Sequence, residues 1–244
     1  MKLQGHTILV TGGASGIGLA LVRRFRSRGA NVIVCGRDDA KLAALTQSDA
    51  AIAVHRADVA RADEREAFAR NVIAKFPDVS VLVNNAGIQN QQAPWVDGQS
   101  WADAEREIAI NLAAPIHLTS LFLPHLRTRP AAAIINVTSG LAFVPMARMP
   151  VYCATKAALH SFTESLRVQC RASSVKVIEL APPAVNTDLG GKGLHDFGEP
   201  VDAYADDAVA RLEQGEEEIG YKMSEGARLA DRATRAQIFS RLNP

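Results

Sequence analysis

The chain alternates short, continuously apolar runs with longer segments in which apolar residues recur at helical spacing. Such runs are typical of strands buried on both faces, as in a parallel sheet covered by helices. Strands are predicted at 7–10, 31–35, 51–54, 80–83, 132–137 and 175–180. Helices are predicted between them, at about 17–28, 41–45, 63–75, 101–127 and 152–171.

This alternation predicts right-handed crossovers and a doubly wound α/β sheet, with ligands bound beyond the carboxyl ends of the strands. Functional residues are therefore expected directly after each strand. No linker, repeat or low-complexity tract divides residues 1–244, so we predict a single domain. Glycines and charges become frequent after Thr187, where helices are predicted at 202–213 and from about 225, with a short strand at 217–219.

Composition narrows the class of protein. The 27 Lys and Arg against 26 Asp and Glu give a net charge of +1, which argues against nucleic acid or anionic membrane as the main partner. The N-terminus lacks a signal-peptide pattern, and no apolar run reaches the roughly 18 residues of a membrane span. Cys35, Cys153 and Cys170 lack metal-type spacing, and their odd number fits a reducing compartment. We therefore expect a cytoplasmic protein without a metal site.

A glycine-rich loop, residues 11–18 (Thr-Gly-Gly-Ala-Ser-Gly-Ile-Gly), follows the first predicted strand and opens the first helix. Gly12 permits a tight turn, Gly16 permits close approach to a pyrophosphate, and Gly18 permits close packing of the helix. The helix N-terminus offers free N–H groups to an anion. This context favours dinucleotide binding over a turn without a ligand, and the loop lacks the Gly-Lys-Ser/Thr ending of a P-loop.

The end of the second predicted strand bears on the choice of dinucleotide. Gly36 followed by Arg37 leaves room for the 2′-phosphate of NADP and supplies a planar, bidentate donor. NADP is therefore favoured. Asp38 and Asp39 keep NAD open, because an acid at this point binds the ribose hydroxyls, although both acids also suit the start of a helix.

Tyr152 and Lys156 lie four residues apart at the start of a predicted helix, so they share one face. A nearby ammonium lowers the pKa of a Tyr and makes it a usable proton donor or acceptor. Such a pair alone is common on helices. Three further features accompany the pair. Asn84-Asn85-Ala86-Gly87 follows the fourth predicted strand, Asn111 lies in the long predicted helix, and Thr138-Ser139 follows the fifth predicted strand.

Together these motifs resemble the short-chain dehydrogenase/reductase family, and most closely its DltE-like subgroup. The match comprises the Thr-Gly-x-x-x-Gly-x-Gly loop, the Asn-Asn-Ala-Gly segment and Tyr-x-x-x-Lys with a Ser thirteen residues before the Tyr, over about residues 7–187. The resemblance implies a single-domain Rossmann fold. It also implies an oxidoreductase that transfers a hydride between NADP(H), or NAD(H), and a carbonyl compound or secondary alcohol.

The resemblance also implies a role for each matching side chain. Tyr152 would exchange a proton with the substrate oxygen, and Ser139 would polarise that oxygen. Lys156 would lower the pKa of Tyr152 and bind the nicotinamide ribose, while Asn111 would hold a water that links Lys156 to solvent. The implied cofactor-binding residues are Thr11, Gly12, Ser15, Gly16, Ile17, Gly18, Arg37, Asp58, Val59, Asn85, Ala86, Gly87, Tyr152, Lys156, Pro182, Val185 and Thr187, with Asn84 also expected beside the adenosine.

Two segments depart from the family pattern. Pro183 stands where the family usually has glycine, which removes a backbone donor and stiffens the loop against the nicotinamide. The end of the chain lacks the Thr-Gly segment and Asp-Gly-Gly turn with which many members build a tetramer interface. We therefore predict a homodimer built on the two long helices, or a different homotetramer.

The substrate is expected to contact segments 88–95, 141–149 and 189–197, and residues 187–203 are suited to a lid. Phe143, Met146 and Met149 indicate either an apolar pocket or core packing. The run from Gln89 to Gln92 indicates either recognition of hydroxyls or a solvated loop. Two rival functions stay open: a sugar-nucleotide epimerase or dehydratase, which shares Tyr-x-x-x-Lys, and a non-catalytic dinucleotide sensor.

Overall fold

Seven parallel strands form one sheet in the computed structural model, which describes residues 1–90, 95, 98 and 100–244. In chain order they are β1 (Thr7–Thr11), β2 (Asn31–Gly36), β3 (Ala53–Arg56), β4 (Val79–Asn84), β5 (Ala132–Val137), β6 (Val175–Ala181) and β7 (Glu218–Gly220). Across the sheet the order is β3-β2-β1-β4-β5-β6-β7. The order reverses between β1 and β4, which opens a crevice at the carboxyl ends of the strands.

Helices cover both faces of this sheet. They are α1 (Gly16–Ser27), α2 (Asp39–Ser48), α3 (Ala62–Lys75), α4 (Trp101–Ile108), α5 (Ala114–Leu126), α6 (Pro150–Cys170), α7 (Val201–Gln214), α8 (Met223–Leu229) and α9 (Arg232–Leu242). A π-helical turn, Ala109–Ala113, joins α4 to α5, and a 3₁₀ turn, Gly140–Ala142, follows β5. The predicted doubly wound α/β Rossmann fold is confirmed.

Two differences between the observed and the predicted elements have a clear local cause. β3 begins two residues later than predicted, because the N–H groups of Ala51 and Ile52 are bonded to Asp49 in a turn. The helix predicted from residue 225 is divided into α8 and α9. The division falls at Asp231, whose side chain accepts a hydrogen bond from the Thr234 N–H and so starts a new helix.

Successive strand residues point into two separate aliphatic cores, one on each face of the sheet. Ile8 and Val10 of β1 pack into the core that contains Phe25 of α1. Leu9, between them, packs into the core that contains Phe122 of α5. All five side chains are fully buried. Because each face has its own core, the strand sequence is continuously apolar and shows no alternation.

One helical run, Trp101–Leu126, has the length and apolar composition of a membrane span. In the fold this run consists of α4, the π-helical turn and α5, and it packs along the sheet. Leu118 and Phe122 are fully buried there. Packing in the core accounts for the apolar character of this helix.

Candidate active site

A cavity of about 900 Å³ opens at the carboxyl ends of the central strands. Its walls come from the loops after these strands, the start of α1, the first turns of α6 and the segment after β6. Fifteen of the predicted cofactor residues line it, namely Gly12, Ser15, Gly16, Ile17, Gly18, Arg37, Asp58, Val59, Asn85, Ala86, Gly87, Tyr152, Lys156, Pro182 and Thr187. The structure therefore brings both the glycine loop and the Tyr-Lys pair to one cavity.

The glycine loop takes a conformation that side chains would obstruct. Gly12 and Gly16 have φ values of 66° and 51°, in the left-handed region that favours glycine. A Cβ atom on Gly18 would lie 2.3 Å from the Gly12 carbonyl oxygen, so α1 packs closely against the loop only with glycine there. The side chain of Ser15, the residue before α1, makes no capping hydrogen bond. The first N–H groups of α1 are thus free to bind an anion at the cavity wall.

Thr11 and Asn85 fasten the glycine loop to the end of β4. The Thr11 hydroxyl accepts hydrogen bonds from the N–H groups of Asn85 and Ala86, at 3.0 and 3.1 Å. The Asn85 amide donates in return to the Thr11 carbonyl oxygen at 2.9 Å. Thr11 is 1% exposed and lies behind the cavity wall. These hydrogen bonds hold the loop in shape, and the cofactor contact predicted for Thr11 stays a prediction.

Two other predicted cofactor residues also lie outside the cavity lining. Asn84 is buried inside the sheet, where its amide donates to Asn136 Oδ1 at 2.8 Å. Val185 is buried and forms an isolated bridge with Glu199, which ties the segment after β6 to the start of α7. Both residues support the walls of the cavity through neighbouring chain segments.

The end of the cavity beside β2 carries exposed cations. Arg37 and Lys41 line it. The Asp38 carboxylate is the N-cap of α2 and accepts from the Lys41 N–H at 3.1 Å. Asp39 forms an ion pair with Arg56 at 3.3 Å. Each of these two acids thus has one contact within the protein, and Asp38 also lines the cavity.

Asp58 is fixed at the same end by Arg106 of α4, a residue that the motifs did not indicate. Arg106 donates to Asp58 Oδ2 at 3.0 Å, and the Ala60 N–H donates to Asp58 Oδ1 at 3.0 Å. Burial alone would raise the pKa of Asp58, but these two hydrogen bonds hold that pKa below its ordinary value. Arg106 lies far from Asp58 in sequence, so only the fold reveals the pair.

Tyr152 and Lys156 lie in the first turns of α6, and both side chains are buried. The Lys156 ammonium donates to the Val137 carbonyl oxygen at 2.8 Å and lies 5.7 Å from the centre of the Tyr152 ring. Burial lowers the pKa of Lys156 to about 8, against the opposing charge of Glu107. A buried amine with such a pKa gains and loses protons near neutrality.

Burial raises the pKa of Tyr152 well above its ordinary value, while the Ser139 side chain, which bonds to the phenol, opposes that rise. Burial thus outweighs the lowering that the Tyr152–Lys156 spacing predicts. Ser139 is itself buried and accepts from the Leu141 N–H at 3.1 Å, which starts the 3₁₀ turn after β5. The phenol therefore rests in its protonated form beside a fixed hydroxyl.

Asn111 lies in the π-helical turn between α4 and α5, and it is fully buried. Its side-chain amide is hydrogen-bonded to both backbone groups of Ile88. Oδ1 accepts from the Ile88 N–H at 2.9 Å, and Nδ2 donates to the Ile88 carbonyl oxygen at 2.8 Å. A Cβ atom on Gly87 would lie 3.4 Å from Asn111 Oδ1 and 3.7 Å from Lys156 Nζ. Asn111 and Lys156 therefore both lie on the side of Gly87 where a side chain would point.

The segments expected to contact substrate divide into two groups. Of the predicted segment 189–197, residues 189–191 line the cavity, and of the segment 88–95, Ile88 to Asn90 do. Residues 91–94 lie outside the described part of the chain. Phe143 packs against His160, with ring centres 4.8 Å apart, and Arg235 lies over its other side. Among the described residues that line the cavity, none comes from 141–149. Phe143 is half-buried and lies outside this cavity, next to side chains of α6 and α9.

The cavity also includes residues that the sequence analysis did not single out for the site, because neighbouring elements bring them there. They are Leu19, Ala20, Arg23, Cys35, Lys41, Ala57, Arg106, Ile110, Val137 and Asn186. Several lie near the ends of predicted strands, and that position is the signal by which sequence reasoning can find them.

The strand order, with a glycine loop after β1 and the cavity at the point where the order reverses, defines a dinucleotide-binding Rossmann protein. The chain belongs to the short-chain dehydrogenase/reductase family, since residues 6–196 match the family described as short chain dehydrogenase. It is accordingly an oxidoreductase.

Individual relatives agree with this assignment. The chain is 44% identical to the uncharacterized oxidoreductase DltE of Bacillus subtilis (strain 168), over all of this chain and 98% of that protein. It is 34% identical to the D-beta-hydroxybutyrate dehydrogenase of Cupriavidus necator, over 89% of this chain and 82% of the relative. A solved short chain dehydrogenase from Burkholderia cenocepacia J2315, in complex with NADP, superposes with a TM-score of 0.85 at 26% identity, covering 99% of each chain.

Proposed function

We propose that this protein binds NADP(H) in the cavity and transfers a hydride reversibly between that cofactor and a small carbonyl compound or secondary alcohol. The observation that carries the proposal is the meeting of the glycine loop with Tyr152 and Lys156 on one cavity wall. The glycine loop alone would also suit a dinucleotide sensor without catalytic activity. The buried proton-transfer groups beside it are what a hydride-transfer enzyme requires.

The residues present fit the cofactor. The uncapped start of α1 supplies N–H donors and a positive dipole end to the pyrophosphate, and Gly16 lets the backbone come close. Thr187 and Pro182 follow β6 and line the same cavity, and we assign the nicotinamide carboxamide to them. Lys156 would bind the ribose of the nicotinamide, and Asp58 and Val59 would lie against the adenine.

NADP is favoured over NAD by the charges beside β2. Arg37 and Lys41 are exposed cations at the cavity wall, and a 2′-phosphate needs such donors. Asp38 is engaged in capping α2, so its carboxylate is turned to a backbone N–H. The Burkholderia cenocepacia relative, described in complex with NADP, agrees with this preference.

Each catalytic residue has a separate task in the proposed reaction. When bound, the reduced cofactor supplies the hydride. Tyr152, kept protonated by burial, donates its phenolic proton to the substrate oxygen, and Ser139 donates a hydrogen bond to the same oxygen. Lys156 stabilises the phenolate that forms. Asn111 fixes the backbone at Ile88 and, with it, the wall that faces Lys156.

Three further assignments complete the proposal. The whole chain acts as one catalytic domain, and residues 187–203 form a lid, since both ends of that segment line the cavity. The assembly is a homodimer or homotetramer, and the protein works in the cytoplasm. Size-exclusion chromatography with light scattering tests the assembly, and a monomer at micromolar concentration would refute it.

The experiment that tests the function is a screen of small ketones, aldehydes and secondary alcohols, read by the absorbance of the reduced nicotinamide. The screen is run in parallel with NADPH and NADH, and we expect turnover with NADPH on at least one carbonyl. Cofactor binding without turnover on any member of a broad panel would favour the sensor.

The cofactor preference is tested by Arg37→Ala. Loss of one charge-assisted hydrogen bond of about 1.5–3 kcal/mol weakens NADPH binding by roughly 10- to 150-fold and leaves NADH nearly unchanged. Arg70→Ala, an exposed residue on α3, is the matched control and should leave both affinities as they are. Fluorescence titration with each cofactor measures the two affinities. A wild-type preference for NADH would refute the argument from Arg37.

A further inference from the structure

The loop 143–149 connects two of the groups that the proposed reaction uses. It follows the 3₁₀ turn that starts at Ser139, and it leads into α6, where Tyr152 lies in the first turn. Within this loop, which the structure describes in full, Val144 alone is buried. An exposed segment with so little core packing keeps one conformation through its hydrogen bonds. The partners of those bonds therefore decide where the loop lies.

The last residues of the chain supply such partners. Asn243 follows α9, and its side chain accepts from the Ala147 N–H at 2.5 Å and donates to the Pro145 carbonyl oxygen at 3.1 Å. The same amide nitrogen donates to the Phe239 carbonyl oxygen at 2.9 Å, which fixes the amide to the end of α9. None of the eleven residues of α9, all of them described, is buried. Burial in a core therefore does not account for this helix, whereas its bonds to the loop do.

Met146, between the two bonded residues of the loop, connects the loop to α6. Its N–H donates to Cys153 Sγ at 3.3 Å, and that thiol donates to the Met146 carbonyl oxygen at 3.7 Å. Cys153 is 3% exposed and directly follows Tyr152 in the chain. Contacts thus run from Asn243 through residues 145–147 to the first turn of α6.

The two C-terminal helices also contact the first part of this region. Arg235 of α9 lies over the Phe143 ring, 5.9 Å from its centre. A Cβ atom on Gly140, in the 3₁₀ turn, would lie 2.8 Å from the side chain of Ser224 in α8. The Ser224 hydroxyl donates to the Ala181 carbonyl oxygen at 2.6 Å, so α8 is fixed to the end of β6. Thus α8 and α9 contact both the 3₁₀ turn and the loop that follows it.

We propose that the end of the chain is a clasp, formed by Asn243 and Arg235, that holds loop 143–149 against α6 and keeps Ser139 and Tyr152 aligned on the substrate oxygen. Asn243 is the positioning residue of this clasp and acts through the loop. The kinetic consequence rests on the proposed function, whereas the closure of the loop does not depend on activity. The family match ends at residue 196, so the clasp belongs to the part of the chain beyond the family pattern.

Labelling of Cys153 with N-ethylmaleimide tests the clasp without substrate or cofactor. The thiol is nearly inaccessible under the loop, so its labelling in the wild type should be slow. Asn243→Ala removes both bonds to the loop and should speed the labelling about tenfold, as measured by mass spectrometry of the peptides. Ser240→Ala, whose hydroxyl donates to Ala236 within α9, is the matched control and should not. Cys170, 6% exposed at the end of the same helix, reports general unfolding. An unchanged rate at Cys153, or an equal rise at Cys170, overturns the proposal.

Ala147→Pro removes the loop's partner of the same bond. The Met149 N–H donates to the Met146 carbonyl oxygen at 3.0 Å, so Ala147 is the second residue of a turn, a position that proline favours. In the wild-type background, Ala147→Pro should speed the labelling of Cys153. In the Asn243→Ala background it should add little, because the bond is already lost. Rates that multiply across the two changes would show independent effects and overturn the proposal.

The kinetic consequence is measured with a carbonyl that the wild type reduces. Displacement of reacting groups by about 1 Å lowers rates by up to about 10²-fold, so Asn243→Ala should lower kcat/KM about 10- to 100-fold. NADPH affinity should stay unchanged, as should all constants of Ser240→Ala. A role confined to the end of α9 would instead lower the urea midpoint and leave kcat/KM as in the wild type, and that result refutes the positioning role.

The two readouts distinguish failure of the clasp from failure of the proposed function. If Asn243→Ala exposes Cys153 but the wild type reduces no carbonyl, the clasp stands and the proposed function fails. If the wild type is active and Asn243→Ala matches it in both labelling and kcat/KM, the proposed function stands and the clasp is wrong.

Discussion

The two halves of the sheet contribute different chemical groups to the cavity. The middle residues of β1 and β2 are aliphatic, the buried polar residues of β1 are the threonines at its two ends, and beyond these strands the cavity wall is glycine backbone and exposed charge. β4, β5 and β6 instead carry buried amide and carboxyl side chains. Asn84 donates to Asn136 at 2.8 Å, and Asn136 donates to Thr163 of α6 at 2.9 Å. Glu179 of β6 continues this polar half toward the catalytic residues.

Glu179 is fully buried between two partners. The Thr138 hydroxyl donates to Glu179 Oε1 at 2.5 Å, and Glu179 Oε2 is 2.8 Å from His160 Nδ1. These bonds join β5, β6 and α6 directly behind Ser139 and Tyr152. The difference between the halves matches the proposed function. Backbone suffices to hold an anion, whereas proton transfer needs side chains at fixed positions, and a satisfied buried network provides such rigidity.

Removal of the Tyr152 hydroxyl is expected to have the largest effect, and it acts on the polar half alone. Tyr152→Phe keeps the buried ring but removes the proton donor, so turnover should fall by at least about 10²–10⁴-fold. Affinity for NADPH should stay unchanged, because the glycine loop lies in the other half. Tyr221→Phe, on a ring that packs against Tyr204, is the control. If Tyr152→Phe retained turnover, Tyr152 would not be the proton donor.

A methyl group on Gly18 is expected to have the next largest effect, and it acts on the aliphatic half. Its Cβ atom would lie 2.3 Å from the Gly12 carbonyl and 2.4 Å from the Asn85 amide, so α1 must shift. We expect a loss of about 1–3 kcal/mol in the free energy of unfolding, together with weaker NADPH binding.

Gly226 supplies the matched control for Gly18. It lies in α8 with nothing within 4 Å of the Cβ position, so Gly226→Ala should stabilise the protein by about 0.5–1 kcal/mol. Urea denaturation measures both variants. If Gly18→Ala were as stable as the wild type, the close approach of α1 to the loop would not require glycine at this position.

The aliphatic half was the more predictable from sequence. Its strands are continuous apolar runs, and its loop is a glycine spacing in which each position has a steric reason. Gly12, Gly16 and Gly18 have the conformation or the close contact that the spacing predicts. Arg106 could not be predicted in the same way, because its bond to Asp58 joins α4 to the loop after β3 and depends on how the elements pack.

The polar half was predictable in type but not in arrangement. Asn136 and Glu179 each interrupt an apolar strand with one polar residue, which signals a buried contact, but nothing local identifies their partners. The Tyr152–Lys156 spacing located the candidate site. It did not predict that burial would dominate the pKa of Tyr152, since that effect depends on the whole surrounding fold.

The smallest predicted effect concerns the pH dependence of this polar network. The hydrogen bond to Glu179 raises the pKa of His160, while burial opposes the rise, and Glu164 lies 3.6 Å from the other ring nitrogen. Because the folded pKa exceeds the unfolded value of about 6.5, the contribution to stability is full below that pH. It is lost as pH rises through the raised pKa. His160→Gln should cost about 1 kcal/mol in acid and remove this decline. Urea midpoints that fall equally with pH in both proteins would show that His160 does not contribute to the pH dependence of stability.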